Sequence, residues 1–110
     1  PYSAQTHHLI GADELAMMKP DAVLVNIARG GIVDDRALAR ALRDDRLGAA
    51  GLDVYENEPA VDAALLTAPR VALTPHLGSA TRATRIAMAQ LAARNLCAWA
   101  RSQPLLTPVG

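Results

Sequence analysis

Three short apolar runs mark the first part of the chain: Ala22-Val23-Leu24-Val25-Asn26-Ile27, Ala49-Ala50-Gly51-Leu52-Asp53-Val54 and Val71-Ala72-Leu73-Thr74. They are continuous rather than alternating, which predicts strands buried on both faces, as in a parallel sheet. Between the first two, Leu38, Ala41 and Leu42 fall at i, i+3 and i+4 while Arg36, Arg40 and Arg43 fall elsewhere, the pattern of an amphipathic helix. Asp34 or Asp35 can cap its start, and Gly48 follows it, where a left-handed residue is often needed. Strand, helix and strand at this spacing make a βαβ crossover, right-handed by a strong rule.

Asp13-Glu14-Leu15-Ala16-Met17-Met18 predicts a short helix ended by Lys19-Pro20, and a second short helix is expected at 62–66. From Ala80 to Arg101 no Pro or Gly interrupts a segment rich in Ala, Leu, Met and Arg. Ile86, Ala89, Ala93, Leu96 and Ala100 form one stripe along this long helix, and Met88, Leu91, Ala92 and Trp99 a second. A helix apolar over so much of its surface is expected to be buried on several sides, against protein outside this chain or a second subunit. On that reading Cys97 is inert core, and Met88 and Trp99 are packing residues. The tail from Gln103 to Pro108 reads as extended. The expected fold is α/β: the C-terminal part of a Rossmann-like parallel sheet over residues 1–78, then a long helix and tail over 79–110. The chain opens on Pro1-Tyr2-Ser3 without Met, and a fragment of a larger protein is expected.

Composition narrows the partners. Eleven Lys and Arg balance eleven Asp and Glu, so the chain lacks the positive charge of a nucleic-acid binder or an electrostatically held membrane protein. No apolar run approaches the ~20 residues of a membrane span, and no leader pattern is seen, so a cytoplasmic location is expected. Cys97 is the only cysteine, which rules out an internal disulfide and suits a reducing compartment. Phe is absent, so the core must be aliphatic.

In open parallel sheets ligands bind beyond the carboxyl ends of the strands. The polar residues there are Arg29 after the first strand, Glu58 after the second and His76 after the third. Taken singly, each is most often a solvated loop residue; their joint placement at three strand ends, beside Gly30, Gly31 and Gly78, favours a site. Arg offers a charged planar fork for a carboxylate. His exchanges a proton near neutral pH, and an adjacent Glu fixes its tautomer and favours the imidazolium. Together they suit a carboxylate next to a carbonyl: Arg29 holds and polarises, His76 protonates the oxygen, and the hydride comes from a cofactor.

Other candidates are weaker. Side chains of the adjacent His7 and His8 are expected to point apart, with no cluster completing a metal site, so a loop role is expected and no metal. Ser79 lies near His76, but no G-x-S-x-G elbow surrounds it.

Three segments, Asn26-Ile27-Ala28-Arg29-Gly30-Gly31-Ile32-Val33-Asp34, Gly51-Leu52-Asp53-Val54-Tyr55-Glu56-Asn57-Glu58-Pro59 and Leu73-Thr74-Pro75-His76-Leu77-Gly78-Ser79-Ala80-Thr81, resemble motifs of the D-isomer-specific 2-hydroxyacid dehydrogenases, in order and at typical spacing. Within that family the chain is most similar to the bacterial glyoxylate/hydroxypyruvate and 2-ketogluconate reductase group. The resemblance implies NAD- or NADP-dependent reduction of small 2-oxo acids to D-2-hydroxy acids, by a homodimer. It assigns substrate binding to Arg29, acid–base catalysis to His76 and the paired carboxylate to Glu58. It places Asp53 near the nicotinamide carboxamide, and Ile27, Ala28, Arg29, His76, Gly78 and Ser79 among the nicotinamide contacts. It also implies that the long helix returns to a substrate domain. The same fold serves a nicotinamide-sensing corepressor, the alternative reading, which loss of Arg29, Glu58 or His76 would have favoured. The loop Ala60-Val61-Asp62-Ala63-Ala64 departs from the Pro-rich stretch of many members, and the family's G-x-G-x-x-G fingerprint, expected upstream, is not in these residues.

Overall fold

Each apolar run forms a strand in the computed structural model, which describes residues 2–109. The strands β1 (Val23–Asn26), β2 (Ala49–Leu52) and β3 (Val71–Leu73) pair in parallel in the order β1-β2-β3, with Val23 opposite Ala49 and Ala50 opposite Val71. Helices α1 (Ala12–Met17), α2 (Asp35–Arg43) and α3 (Ala63–Leu66) precede or connect them, and α4 (Arg82–Ala100) follows. Contacts divide the chain into two compact units, Pro1–Gly78 and Ser79–Gly110. Among the described residues no helix is long and apolar enough to cross a membrane.

Local chemistry sets the helix ends. Asp34 is the α2 cap, its Oδ1 accepting the Arg36 and Ala37 N–H groups at 2.9 Å each. Asp35, the other candidate, turns away to accept the Glu56 N–H at 3.1 Å. The left-handed residue after α2 is Asp45 (φ 53), where the Arg46 N–H returns to the Ala41 carbonyl at 2.9 Å. Gly48 is needed for a different reason from the expected one: a Cβ there would lie 2.8 Å from the Asp21 carbonyl oxygen. Asp62 caps α3 by accepting the Ala64 N–H at 2.8 Å. Glu14 accepts the Gly11 N–H at 3.0 Å at the start of α1.

The core of the first unit is aliphatic, as the absence of Phe requires. Leu38 and Leu42 of α2 meet Leu24, Ala50 and Leu52 of the sheet, Leu15 of α1, Leu47 and Leu65 of α3. Each fully buried leucine contributes about 1.5–3 kcal/mol relative to an exposed one. The expectation of strands buried on both faces fails. Leu24 and Asn26 are buried, but Val23 and Val25 are 62% and 65% exposed. All three helices of this unit pack on one face, and none covers the other.

In the second unit Thr81 caps α4 by accepting the Thr84 N–H at 3.1 Å. The tail runs back along the helix because Asn95 Oδ1 accepts the Leu106 and Thr107 N–H groups. Cys97, Met88 and Trp99 are exposed here rather than packed, Trp99 by 73%. Within its own unit α4 has only this short tail to bury against, and Ala98 is its one buried residue.

Leu38 is fully buried. Leu38→Ala should lower stability by about 2–5 kcal/mol through lost burial and a residual cavity. Met17→Ala, at a 78% exposed site, should change it by less than about 0.5 kcal/mol. Urea unfolding checks both.

Candidate active site

The loop after β1 is folded by the last residue of the strand. Asn26 is buried; its Oδ1 accepts the Ala28 N–H and its Nδ2 donates to the Arg29 carbonyl, both at 3.1 Å. This Asx-type turn presents Arg29 at the sheet edge. Its guanidinium is exposed and donates to the Ala28 carbonyl at 2.8 Å. The next residue has to be glycine: a Cβ on Gly30 would sit 1.7 Å from the Tyr55 carbonyl oxygen. The loop carrying Arg29 therefore lies directly on the loop that follows β2.

Asp53, just past β2, organises the loop after β3. Its Oδ1 accepts the Thr74 hydroxyl at 2.6 Å and the Leu77 N–H at 2.7 Å, and its Oδ2 accepts the Gly78 N–H at 2.8 Å. The Thr74 hydroxyl first, then the Leu77 and Gly78 amides, hold this carboxyl below the usual aspartate range. Tyr55 adds a second tie, donating from its hydroxyl to the Thr74 carbonyl at 2.7 Å. Burial first, and the Asp53 charge next, push the phenol up, so it stays a donor.

Between these ties the chain turns sharply. The His76 N–H bonds the Thr74 carbonyl at 3.1 Å, and His76 itself lies in the left-handed region at φ 53. Such a conformation costs about 1–3 kcal/mol in a non-glycine residue and persists only where the surroundings enforce it. The result is a single contact: His76 Nδ1 lies 2.8 Å from Glu58 Oε2. Glu58 Oε1 accepts the Tyr55 N–H at 2.9 Å, so the carboxylate is fixed from both sides. The bond from His76, followed by that from Tyr55, holds the Glu58 carboxyl below its ordinary range. An ionised Glu58 accepts only, so Nδ1 carries the hydrogen and Nε2 is left to face outward chemistry. A cavity of about 520 Å³ borders Glu58, walled by Tyr55, Val61, Leu73 and Pro75.

The structure thus joins Glu58 to His76 and Asp53 to Gly78. Among the described residues no hydrogen bond or ion pair joins Arg29 to that pair. Ser79 opens the second unit. Sequence reasoning passed over Asn26, Tyr55 and Thr74, although an Asn ending a strand is a turn signal. It also placed His7 and His8 apart, whereas their rings stack with centroids 3.8 Å apart. His8 lies in the left-handed region at φ 50, and that turn swings the two neighbouring side chains to one side.

The family described as D-isomer specific 2-hydroxyacid dehydrogenase, NAD binding domain, matches residues 1–78. The chain belongs to that family. It is 54% identical over 99 residues to glyoxylate/hydroxypyruvate reductase B of Enterobacter agglomerans, covering 89% of this chain and 31% of that protein. It is 46% identical over 103 residues to the glyoxylate reductase of Thermococcus litoralis, covering 94% of this chain and 31% of that protein. The crystal structure of an NADPH-dependent glyoxylate/hydroxypyruvate reductase from Sinorhizobium meliloti, in complex with NADP and malonate, superposes with a TM-score of 0.92 at 46% identity, covering 100% of this chain and 34% of that one. The chain therefore spans about a third of the length of the relatives it matches. The parallel sheet of this family member is the Rossmann-like arrangement that the resemblance implied.

The two depressed carboxyls carry a pH prediction for this NAD-binding-domain family member. Asp53 and Glu58 lie below their unfolded values, so their stabilising effect is complete above the ordinary carboxylate range and is lost as pH falls through the lower folded values. Asp53→Asn should lower stability at neutral pH and flatten its fall on acidification. Urea midpoints measured from neutral pH down through the carboxylate range test this; an unchanged slope would refute the assignment.

Proposed function

We propose that the protein carrying this chain reduces small 2-oxo acids of the glyoxylate, hydroxypyruvate or 2-ketogluconate type to D-2-hydroxy acids, using NAD(P)H. The 2.8 Å contact between His76 Nδ1 and Glu58 Oε2 carries the reading, because it turns an imidazole into an oriented acid at a strand-end edge. Ile27, 74% exposed directly after β1, offers an apolar surface that a nicotinamide ring would cover, and the loops at 27–29 and 76–78 supply backbone groups around it. The residues present therefore fit the nicotinamide end of a dinucleotide, which when bound supplies the hydride. Ile27, Ala28, Arg29, His76, Gly78 and Ser79 would line it. Asp53 acts by holding the Leu77 and Gly78 amides in place.

The chain's own residues then divide the work. Arg29 keeps donors beyond its single bond to Ala28, enough for a bidentate grip on the substrate carboxylate. His76 gives the proton from Nε2 to the oxygen as the carbonyl carbon is reduced. Glu58, held below its ordinary range, is ionised and orients the ring through the Nδ1 contact. In the reverse direction the neutral ring takes the same proton back.

The same reading makes residues 1–78 the C-terminal half of the dinucleotide-binding domain, and 79–110 a helix and tail that return to a substrate domain. Exposed Ile86, Met88, Leu91, Leu96 and Trp99 on α4 support such cover, within a homodimer. A reduced, exposed Cys97 suits a cytoplasmic enzyme.

In the whole enzyme, nicotinamide absorbance with glyoxylate or hydroxypyruvate tests the activity. Glu58→Gln keeps the shape and removes the charge. It should cut kcat for reduction by about 10²-fold or more. Arg29→Lys should raise KM and lower kcat, since it keeps the charge and loses the fork. Parent-like profiles in both variants would overturn the proposed roles.

A further inference from the structure

Outside the strand-end site, one donor atom from each of His7, His8 and Glu56 lies within 4.8 Å of the others. The three come from two segments far apart in sequence. The His8 N–H bonds the Gly31 carbonyl at 2.7 Å, which fixes the histidine segment against the loop after β1. Glu56 is fixed by its own N–H on Asp35 Oδ2 at 3.1 Å. The φ of 50 at His8 stacks the two imidazoles instead of splaying them.

We propose that His7, His8 and Glu56 form a binding site for a borderline transition-metal dication of the Zn²⁺ class. Two imidazoles and a carboxylate are donors such ions take, with water completing the shell. Each imidazole also has an orienting partner for its other nitrogen, as metal-bound histidines do. His7 Nδ1 lies 2.9 Å from the Tyr2 hydroxyl, which leaves Nε2 for the metal. His8 Nδ1 faces Asp34 Oδ2 at 3.7 Å, which leaves its Nε2 toward Glu56. His8 Nε2 and Glu56 Oε1 are already 3.0 Å apart, the spacing of two ligands on one ion bound at roughly 2.0–2.2 Å. Without an ion, an Nε2–H hydrogen makes this contact; a metal would take that hydrogen's place. The His7 donor lies within 4.8 Å of the other two, on a side chain that is exposed. A bound ion would bridge the segment before α1 to the loop that carries Glu58, two residues beyond Glu56.

Titration of the protein with Zn²⁺ against a chromogenic chelator tests the site. Cys97→Ser serves as background, because the exposed thiol is the competing soft ligand. The proposal requires one equivalent bound with micromolar or tighter affinity in that background. His7→Asn and Glu56→Gln should each weaken it at least about tenfold, with far-UV circular dichroism unchanged. His7 is exposed, so its variant keeps the fold even where Glu56→Gln does not. Co²⁺ in place of Zn²⁺ should give visible bands without thiolate charge transfer. No binding in the Cys97→Ser background, or binding that survives His7→Asn, would overturn the proposal.

Discussion

The Asp53 carboxylate is the constraint on which the strand-end site depends. It stands where β2 ends and accepts three donors from the segment after β3: the Thr74 hydroxyl and the Leu77 and Gly78 amides. A carboxylate satisfied by amide and hydroxyl donors is stabilised in its charged form and costs little to bury. By gripping residues on both sides of His76, it enforces the left-handed backbone that His76 would not adopt in isolation. The imidazole is then delivered to Glu58, whose own position comes from the Tyr55 amide. Two loops on neighbouring strands are locked to each other by buried charge and backbone donors, with the proton-transfer group at their meeting point.

The loop after β1 is held by different means. Asn26 folds it internally, and Gly30 lets it rest against the Tyr55 carbonyl. Its charged tip is exposed, and among the described residues the Arg29 side chain bonds only to the Ala28 carbonyl. The proposed carboxylate substrate would use these spare donors, while the imidazole on the loop after β3 is already held by Glu58. Dynamics and function are linked here through which groups are already satisfied and which are not.

Much of this was legible in the residues. Apolar runs of four to six residues, a cap at Asp34 or Asp35, and helical spacing in Leu38, Ala41 and Leu42 marked the elements to within a residue or two. The Glu58–His76 pairing followed from their positions after neighbouring strands. What sequence could not show was geometry set by single backbone torsions. Stacking of His7 on His8 depends on one left-handed residue, and adjacency alone argues the opposite. The helix stop after α2 uses Asp45 rather than Gly48, because Gly48 answers a steric demand from Asp21 that periodicity does not encode. The open face of β1 and the bare surface of α4 are a matter of which partners are at hand. A continuous apolar run reads the same whether one side or both are covered.

The central claim is that Asp53, acting through the loop, places His76 on Glu58. Proton NMR of the imidazole N–H signals tests it most directly. The bond from His76 Nδ1–H to an ionised carboxylate should give a downfield resonance, assigned by its loss in His76→Gln. The account predicts that Asp53→Asn, which touches neither partner, removes or broadens that resonance while Leu38-centred core signals persist. A resonance unchanged in position and width in Asp53→Asn would show that the pair forms without the grip, and would contradict the account.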